Sequence, residues 1–146
     1  VIVVEPRPER APVARTLGAT AVVTPEELVS RRDELLPHGA DVVVDAVGSV
    51  LAPAIDIAAQ SGRLVVFGMN SNARPPIHQT RITEKGLTTM GSYITDFTFP
   101  PAIRLVESGL IDLRPMVSAI LPLASTGEGI DLLRSGMATK IIITPA

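Results

Sequence analysis

Short apolar runs rich in Val, Ile and Ala alternate with helix-length stretches through the first half of the chain, and this alternation restricts the fold more than any other feature. Strands are predicted at Val1–Val4, Ala21–Val23, Asp41–Val47 and Arg63–Phe67, with helices between them over Pro8–Leu17, Thr24–Leu36 and Ala52–Gln60. Such a strict β-α-β order indicates parallel strands joined by right-handed helical crossovers. The sequence therefore predicts an α/β fold with one parallel sheet, helices on both of its faces and the first strand at or near an edge.

The regular alternation stops at Gly68, and a loop over Met69–Pro76 follows. The remaining predicted elements are a strand at Leu87–Ile94, a helix at Pro100–Ser108, a strand at Met116–Leu121, a helix at Thr126–Arg134 and a strand at Lys140–Thr144. The chain of 146 residues is long enough for one domain with its own core.

Composition narrows the function classes. A hydrophobic fraction of 46% is typical of parallel strands that are buried on both faces. The net charge of −2 gives no electrostatic reason to expect a nucleic acid or membrane partner, and no apolar run approaches the roughly 18 residues of a membrane span. The absence of cysteine excludes disulfides and thiolate metal sites within this chain, and we expect a cytoplasmic protein.

The first predicted strand is followed by an acid, Glu5. In nucleotide-binding α/β folds an acid at a strand end accepts hydrogen bonds from both hydroxyl groups of the adenosine ribose. The glycine-rich G-x-G-x-x-G turn that lies about 20 residues before such an acid is absent from this sequence. We therefore expect the first strand and the glycine-rich turn to lie upstream of Val1. The alternative is that Glu5 is a solvated acid at the end of an ordinary strand.

Five stretches resemble, in order and spacing, the C-terminal half of the medium-chain dehydrogenases, the superfamily of zinc-type alcohol, polyol and threonine dehydrogenases. They are VIVVEPRPERAPVARTLGATAVV, GADVVVDAVGSV, GRLVVFGM, EKGLTTMGSY and LPLASTGEGIDLLRSGMATKIIITP. The resemblance implies a Rossmann-like doubly wound sheet, truncated at its N-terminus. It also implies that residues 1–146 form part of a nicotinamide-dinucleotide-binding domain, with residues 115–146 returning toward a catalytic domain that this sequence lacks.

The resemblance implies a set of cofactor contacts. Glu5 matches the ribose-binding acid, and Arg10 matches a basic residue beside the same ribose. The other implied contacts are Val47, Gly48 and Ser49 for the adenine side, Phe67, Gly68, Met69, Gly91, Ser92 and Tyr93 for the nicotinamide carboxamide, and Lys140 for the pyrophosphate. Alternatively, the two glycines at positions 48 and 68 only end their strands, and the lysine is only a solvated strand residue.

The choice of nicotinamide cofactor depends on two neighbouring residues. Glu5 should repel the 2′-phosphate of NADP and bind the free diol of NAD, so NAD is predicted. Arg7 lies two residues further on and could accommodate a 2′-phosphate, which leaves NADP possible.

No catalytic or metal-binding residue is expected in this chain. In the superfamily that the chain resembles, the catalytic zinc, the proton relay and most of the substrate pocket belong to the N-terminal domain. We interpret His38 and His78 as surface residues, since a metal site needs three or four converging ligands. Asp45, inside the apolar run VVVDAV, is either a structural acid bonded to a neighbour's backbone or a residue that faces the cofactor cleft.

The sequence thus predicts the cofactor-binding portion of an NAD(P)-dependent oxidoreductase that acts on an alcohol or carbonyl substrate and uses zinc at full length. The chain alone should be inactive. The alternatives are a zinc-free, NADP-dependent quinone or enoyl reductase of the same superfamily and a non-catalytic α/β dimerisation module. The resemblance also implies an edge strand within Arg74–Thr83, where apolar and polar residues alternate, and its pairing with a second copy across a twofold axis. We therefore expect a homodimer through Pro76–Gln79 and Leu87–Gly91, unless Arg74–Thr83 is a mobile surface loop.

Overall fold

The computed structural model describes residues 1–93 and 97–145. In chain order the elements are β1 (Ile2–Val4), α1 (Ala11–Thr16), β2 (Ala21–Val23), α2 (Pro25–Ser30), α3 (Arg32–Leu35), β3 (Ala40–Asp45), α4 (Leu51–Ile57), β4 (Ala58–Val66), α5 (Gln79–Lys85), β5 (Thr88–Gly91), α6 (Phe99–Glu107), β6 (Val117–Pro122), α7 (Thr126–Ser135) and β7 (Lys140–Thr144). Short 3₁₀ turns precede α1, β6 and α7. The chain divides into two units, one formed by Val1–Leu28 with Phe97–Ala146 and the other by Val29–Asp96.

All strand pairs in the described residues are parallel, which confirms the predicted class of sheet. In residues 1–93 and 97–145 the strands form three sheets, however, in the orders β1-β2, β3-β4-β5 and β6-β7, whereas we predicted one parallel sheet. In the described part of the chain β1 has a strand partner on one side only, so it lies at a sheet edge as predicted.

The first unit contains two of these parallel pairs. β1 pairs with β2 in the register Ile2↔Ala21 to Val4↔Val23. In β6 and β7 half-buried and exposed residues alternate, the period expected of a sheet that is covered on one face. Helix α7 packs against these two strands.

A helix start that the sequence predicts at Thr24 is confirmed in atomic detail. The Thr24 N–H donates to Glu27 Oε2 at 2.8 Å, and the Glu27 N–H donates to Thr24 Oγ1 at 3.2 Å. This reciprocal pair is a capping box, which satisfies backbone donors that the first helical turn leaves free. The helix ends earlier than predicted, since the chain turns at Arg31 and a second short helix, α3, follows.

The second unit has its core on one face of the sheet β3-β4-β5. Ala54 and Ile55 of α4 and Ala58 and Leu64 of β4 form the buried cluster, and Ile82 of α5 packs against it. On the other face Val42, Val44 and Met90 are 46%, 55% and 47% exposed. Helices therefore cover one face of this sheet in the described residues, whereas we predicted helices on both faces.

Two predictions about elements in this unit are wrong. No strand forms within Arg74–Thr83: residues 74–78 are neither helix nor strand, and helix α5 begins at Gln79. The helix predicted over Ala52–Gln60 gives way to strand β4 already at Ala58. Ile94, the end of another predicted strand, lies outside the described residues, and the described part of that strand is Thr88–Gly91.

No helix in residues 1–93 and 97–145 combines the length and the apolar character that a membrane crossing requires.

Candidate functional site

The acid that ends β1 is held in a defined position by its own turn. The backbone N–H of Glu5 donates to the Val23 carbonyl at 2.9 Å, which continues the pairing of β1 with β2. The N–H of Arg7 donates to Glu5 Oε1 at 2.9 Å. One carboxylate oxygen therefore fixes the turn that leads into α1, and the other is not needed for it.

Arg10 lies beside that second oxygen. Arg10 Nη1 is 3.7 Å from Glu5 Oε2, and the side chains are 39% and 20% exposed, respectively. Arg10 Nε is buried and has no hydrogen-bond partner among the described residues. The structure thus brings together the two side chains that were predicted to meet a ribose.

Arg7 extends in a direction that the sequence did not indicate. Its guanidinium group lies directly against Gly136, the residue that ends α7, and a Cβ added there would collide with Arg7 Nη1. Pro6–Glu9 and Ser135–Met137 line a shallow hollow around this contact. A cation at a helix C-terminus is favourable because carbonyl groups and the negative end of the helix dipole point there.

Asp45 organises the loop that follows β3. Its Oδ1 accepts hydrogen bonds from the N–H groups of Val47 at 2.9 Å and Gly48 at 2.7 Å. Its Oδ2 accepts a third from the Val50 N–H at 3.2 Å. Only 2% of Asp45 is exposed, so the structural role that we considered for this acid is the one the structure shows.

Gly48 and Gly68 allow the loops after β3 and β4 to touch. Gly48 has φ +82°, and a Cβ on it would lie 2.6 Å from Asn70 N and 2.6 Å from Gly68 O. A Cβ on Gly68 would collide with the backbone of residues 46–48. The two loops are also joined by bonds from the N–H groups of Phe67 and Gly68 to the Asp45 carbonyl, at 3.0 and 2.7 Å. Space at these glycines is therefore filled by the neighbouring loop.

The carboxyl ends of the three strands in this unit lie at one level. The register aligns Asp45 with Val66 and Val66 with Gly91. Beyond this level the predicted contacts carry large exposed side chains: Val47 is 59%, Phe67 54%, Met69 74% and Tyr93 69% exposed. An open apolar edge at the carboxyl ends of parallel strands is where α/β proteins bind ligands.

For four further residues that were predicted to contact the cofactor, the structure gives a position and an exposure. Ser49 is half-buried in the loop after β3, whereas Gly91 and Ser92 are exposed at the end of β5. Lys140 begins β7 opposite Val117 and is exposed. Among the ion pairs of the described residues, Glu5 is joined to Arg10 and none involves Lys140.

A cluster of cations around the end of α4 was missed by the sequence analysis. Lys85 Nζ donates to the carbonyls of Ile55, Asp56 and Ala58 at 2.9, 2.8 and 2.8 Å. Arg32 Nη2 donates to the Asp56 carbonyl as well, at 2.9 Å. Burial, followed by repulsion from Arg32 and Arg81, lowers the pKa of Lys85. Lys85 directly precedes Gly86, which ends α5, and nothing in this local sequence indicates that the lysine bonds to carbonyl groups at the end of α4.

Metal binding has no basis in the described residues. No three His, Asp or Glu side chains converge in residues 1–93 and 97–145, and His38 and His78 are both exposed. These residues do not fit a zinc site, which needs at least three protein ligands.

Comparison with known proteins gives concordant results. The sequence model of a family described as zinc-binding dehydrogenases matches residues 1–108. An L-threonine 3-dehydrogenase from Caldanaerobacter subterraneus subsp. tengcongensis is 31% identical over 156 aligned residues, which cover 99% of this chain and 44% of that protein. This chain therefore spans less than half the length of the curated relative.

Solved structures show the same partial coverage. The 2R,3R-butanediol dehydrogenase from Bacillus subtilis superposes with a TM-score of 0.86 at 27% identity, over 99% of this chain and 43% of that one. A protein from Sinorhizobium meliloti 1021, described as a zinc-binding dehydrogenase and bound to NADP, superposes with a TM-score of 0.87 at 25% identity, over 99% and 45%. These similarities confirm the predicted Rossmann-like α/β class.

Proposed function

Because this chain belongs to the family of zinc-binding dehydrogenases, we propose that it forms most of the nicotinamide-dinucleotide-binding domain of an oxidoreductase. The bound cofactor supplies the hydride chemistry, and the protein holds and orients it. The substrate class is an alcohol or the corresponding carbonyl compound. Residues 115–146 are proposed to return toward the catalytic part of the protein.

The observation that carries this proposal is the carboxylate of Glu5 at the carboxyl end of β1. Its Oε1 is fixed by the Arg7 N–H, so the carboxylate has a set orientation before any ligand binds. In the part of the chain that the structure describes, the one polar contact found for its Oε2 is that with Arg10 Nη1 at 3.7 Å, so Oε2 can accept a hydrogen bond from a hydroxyl group. The guanidinium group of Arg10, whose Nη1 lies beside the carboxylate on a side chain that is 39% exposed, is the proposed donor to an oxygen atom of the same ribose.

We propose NAD rather than NADP as the preferred cofactor. A 2′-phosphate placed at Glu5 would bring two negative charges together. Arg7, the nearby cation that could offset this repulsion, has its guanidinium group against Gly136. The similar Sinorhizobium meliloti protein was solved with NADP, so NADP is the competitor to test.

The test is a titration of the full-length protein with NADH and NADPH, followed by nicotinamide fluorescence. Glu5→Gln keeps the acceptor for the Arg7 N–H but removes the charge. The loss of hydrogen bonds to a charged group should weaken NADH binding by about 1–3 kcal/mol, or roughly 5- to 150-fold. The preference for NADPH over NADH should rise, because the repulsion is gone.

Glu9→Gln is the matched control, since Glu9 is an exposed acid in the same segment. It should leave both affinities unchanged. If Glu5→Gln also leaves both unchanged, Glu5 does not bind the ribose. If the wild-type protein binds neither dinucleotide, the proposed function is wrong.

We propose that zinc and the substrate pocket belong to the part of the full-length protein that its relatives share and this chain does not span. The described residues offer no zinc ligand set. Metal analysis of the full-length protein should therefore find zinc, and the 146-residue chain alone should retain none after dialysis. A zinc-free, active full-length enzyme would favour the quinone or enoyl reductase alternative. The cytoplasmic location stays a prediction.

We propose a homodimer through the free edge of β5, next to Pro76–Gln79. All four residues of β5 are exposed, and β4 is the only strand paired with it in the described residues. The Ser92 N–H donates to the Val66 carbonyl at 3.0 Å. Because donors alternate along a strand, the N–H of Thr89 points to the free edge, where a second copy can pair.

Thr89→Pro removes that donor without touching the pairing with β4, and Thr89→Ala is the control. Light scattering of the full-length protein should give a dimer for the wild type and the alanine variant, and a weakened dimer for the proline variant. A monomeric wild type, or a dimer that the proline leaves intact, would disprove this interface.

A further inference from the structure

Asp45 is the one polar or charged residue that is buried in the described part of the chain. Its three hydrogen bonds all go to backbone N–H groups of the next five residues, at 2.7–3.2 Å. No basic side chain is paired with it among the described ion pairs. The buried Asp45 carboxylate therefore forms hydrogen bonds only within the turn that follows it, among the described residues.

The carboxylate acts as an internal anion for that turn. Backbone N–H groups that converge after a strand form a concave site that can bind an external anion such as a phosphate. Here the Asp45 carboxylate takes the place of an external anion, because Oδ1 already accepts hydrogen bonds from the N–H groups of Val47 and Gly48. What the turn presents to the exterior is the Val47 side chain, which is 59% exposed.

The same residue also controls the neighbouring loop. The Asp45 carbonyl accepts bonds from the N–H groups of Phe67 and Gly68, at 3.0 and 2.7 Å. Gly68 in turn lies directly against the backbone of residues 46–48. Asp45 thus holds two loops: its side chain bonds to the loop after β3, and its backbone carbonyl bonds to the loop after β4.

We infer that Asp45 is a positioning residue for the dinucleotide: it holds the two turns at 47–50 and 67–69 in the shape that the cofactor meets. This inference rests on the proposed function, because four non-glycine cofactor contacts predicted from the sequence lie in these turns, namely Val47, Ser49, Phe67 and Met69. Asp45 itself does not touch the cofactor, since its carboxylate is buried and engaged on both oxygens.

The test compares Asp45→Leu and Asp45→Asn with Ile55→Val in the full-length protein. Leucine removes the acceptor of the half-buried N–H groups of Val47, Gly48 and Val50, and asparagine can keep one oxygen for the first two. Ile55 is a buried core residue of the same unit, 2% exposed, so its variant reports loss of stability alone. Dissociation constants for NADH, melting temperatures and amide hydrogen exchange are measured for all three.

Asp45→Leu should raise the dissociation constant for NADH about tenfold or more, and Asp45→Asn should raise it less. Exchange should accelerate in peptides covering residues 47–50 and 67–69. Ile55→Val should lower the melting temperature while its dissociation constant stays within about twofold of wild type.

Two results of the binding measurements would overturn the inference. One is a folded Asp45→Leu variant that binds NADH like the wild type. The other is a loss of affinity in Ile55→Val that equals the loss in the Asp45 variants at equal melting temperature. If Asp45→Leu does not fold, Asp45→Asn decides in the same way. If the wild type binds no NADH, the proposed function fails, and unchanged exchange at residues 47–50 in the Asp45 variants would separately refute the structural role.

Discussion

Lys85 offers the sharpest test of how the unit that contains β3, β4 and β5 is stabilised. Its ammonium group donates to three carbonyl groups where α4 ends and β4 begins, at 2.8–2.9 Å. Helix C-termini leave carbonyl groups without intrahelical donors, and these groups need other partners. Lys85→Met keeps the aliphatic stem and removes all three donors.

The loss of unfolding free energy in Lys85→Met depends on which carbonyl groups are left without a donor. Asp56 keeps a hydrogen bond from Arg32 Nη2, so its carbonyl contributes little to the loss. The bonds to the Ile55 and Ala58 carbonyls are half-buried. At about 1 kcal/mol each, the substitution should cost about 2 kcal/mol of unfolding free energy. In a chain of this size that corresponds to a fall in melting temperature of about 4–8 °C.

The chain contains a natural control. Lys140 is the other lysine, it is exposed, and no hydrogen bond of its side chain is found among the described residues. Lys140→Met should therefore change the melting temperature by less than about 1 °C. Calorimetry or circular dichroism on both variants decides the matter. A Lys85→Met protein as stable as Lys140→Met would refute the reasoning.

The lowered pKa of Lys85 adds a second signature. Burial is the largest cause, and Arg32 and Arg81 contribute. The folded-state pKa lies below the ordinary value of 10.5, so the unfolded chain binds more protons in the window just below that pH. Where the unfolded state binds more protons, stability rises with pH. The contribution of Lys85, measured as wild type minus Lys85→Met, should therefore increase as the pH is raised toward 10.5.

Two further predictions concern single residues. Gly48→Ala should lower the unfolding free energy by at least about 1–3 kcal/mol in urea titrations, because Gly48 has φ +82° and a Cβ there would lie 2.6 Å from Gly68 O; stability equal to wild type would contradict the close loop contact. Hydrogen bonds from Arg114 lower the pKa of Asp112 to about 2, so its contribution should be complete above about pH 4 and lost as the pH falls toward 2. Urea titrations across this range should show a weaker acid dependence for Asp112→Asn, and identical curves would exclude this effect.

The sequence predicted best those elements whose signals are local. β2 and β7 have the predicted bounds, Ala21–Val23 and Lys140–Thr144. Both contain a short run of β-branched apolar residues with a proline soon after the end, Pro25 after β2 and Pro145 after β7. The helix start at Thr24 was predicted for the same reason, and the capping box that the structure shows there involves only four consecutive residues.

Helix α5 was missed because its sequence gives contradictory signals. Thr80, Ile82 and Thr83 are β-branched and favour a strand. The edge strand was predicted from the alternation of apolar and polar residues and from the family resemblance, and the described residues do not contain it. What stabilises the helix is tertiary: Ile82 packs on the core cluster, and Lys85 reaches carbonyl groups some 30 positions away. Neither contact has a signal within the segment itself.

In the candidate site, too, a contact between residues close in sequence was predicted and a contact between distant residues was not. The proximity of Glu5 and Arg10 follows from their short separation in sequence, but the direction of Arg7 depends on Gly136, a residue more than a hundred positions away. No periodicity or motif encodes that contact.

Gly48 and Gly68 show why the role of a glycine at a strand end cannot be read from the sequence alone. A glycine at a strand end has two readings from sequence, since it can admit a ligand or another stretch of backbone. At Gly48 and Gly68 the space is filled by the opposite loop. We therefore expect the exposed side chains of Val47, Phe67 and Met69, rather than the glycines, to form the surface that a dinucleotide meets on this unit. Truncating those side chains should then change cofactor affinity with little effect on stability, whereas changes at the glycines should affect stability first.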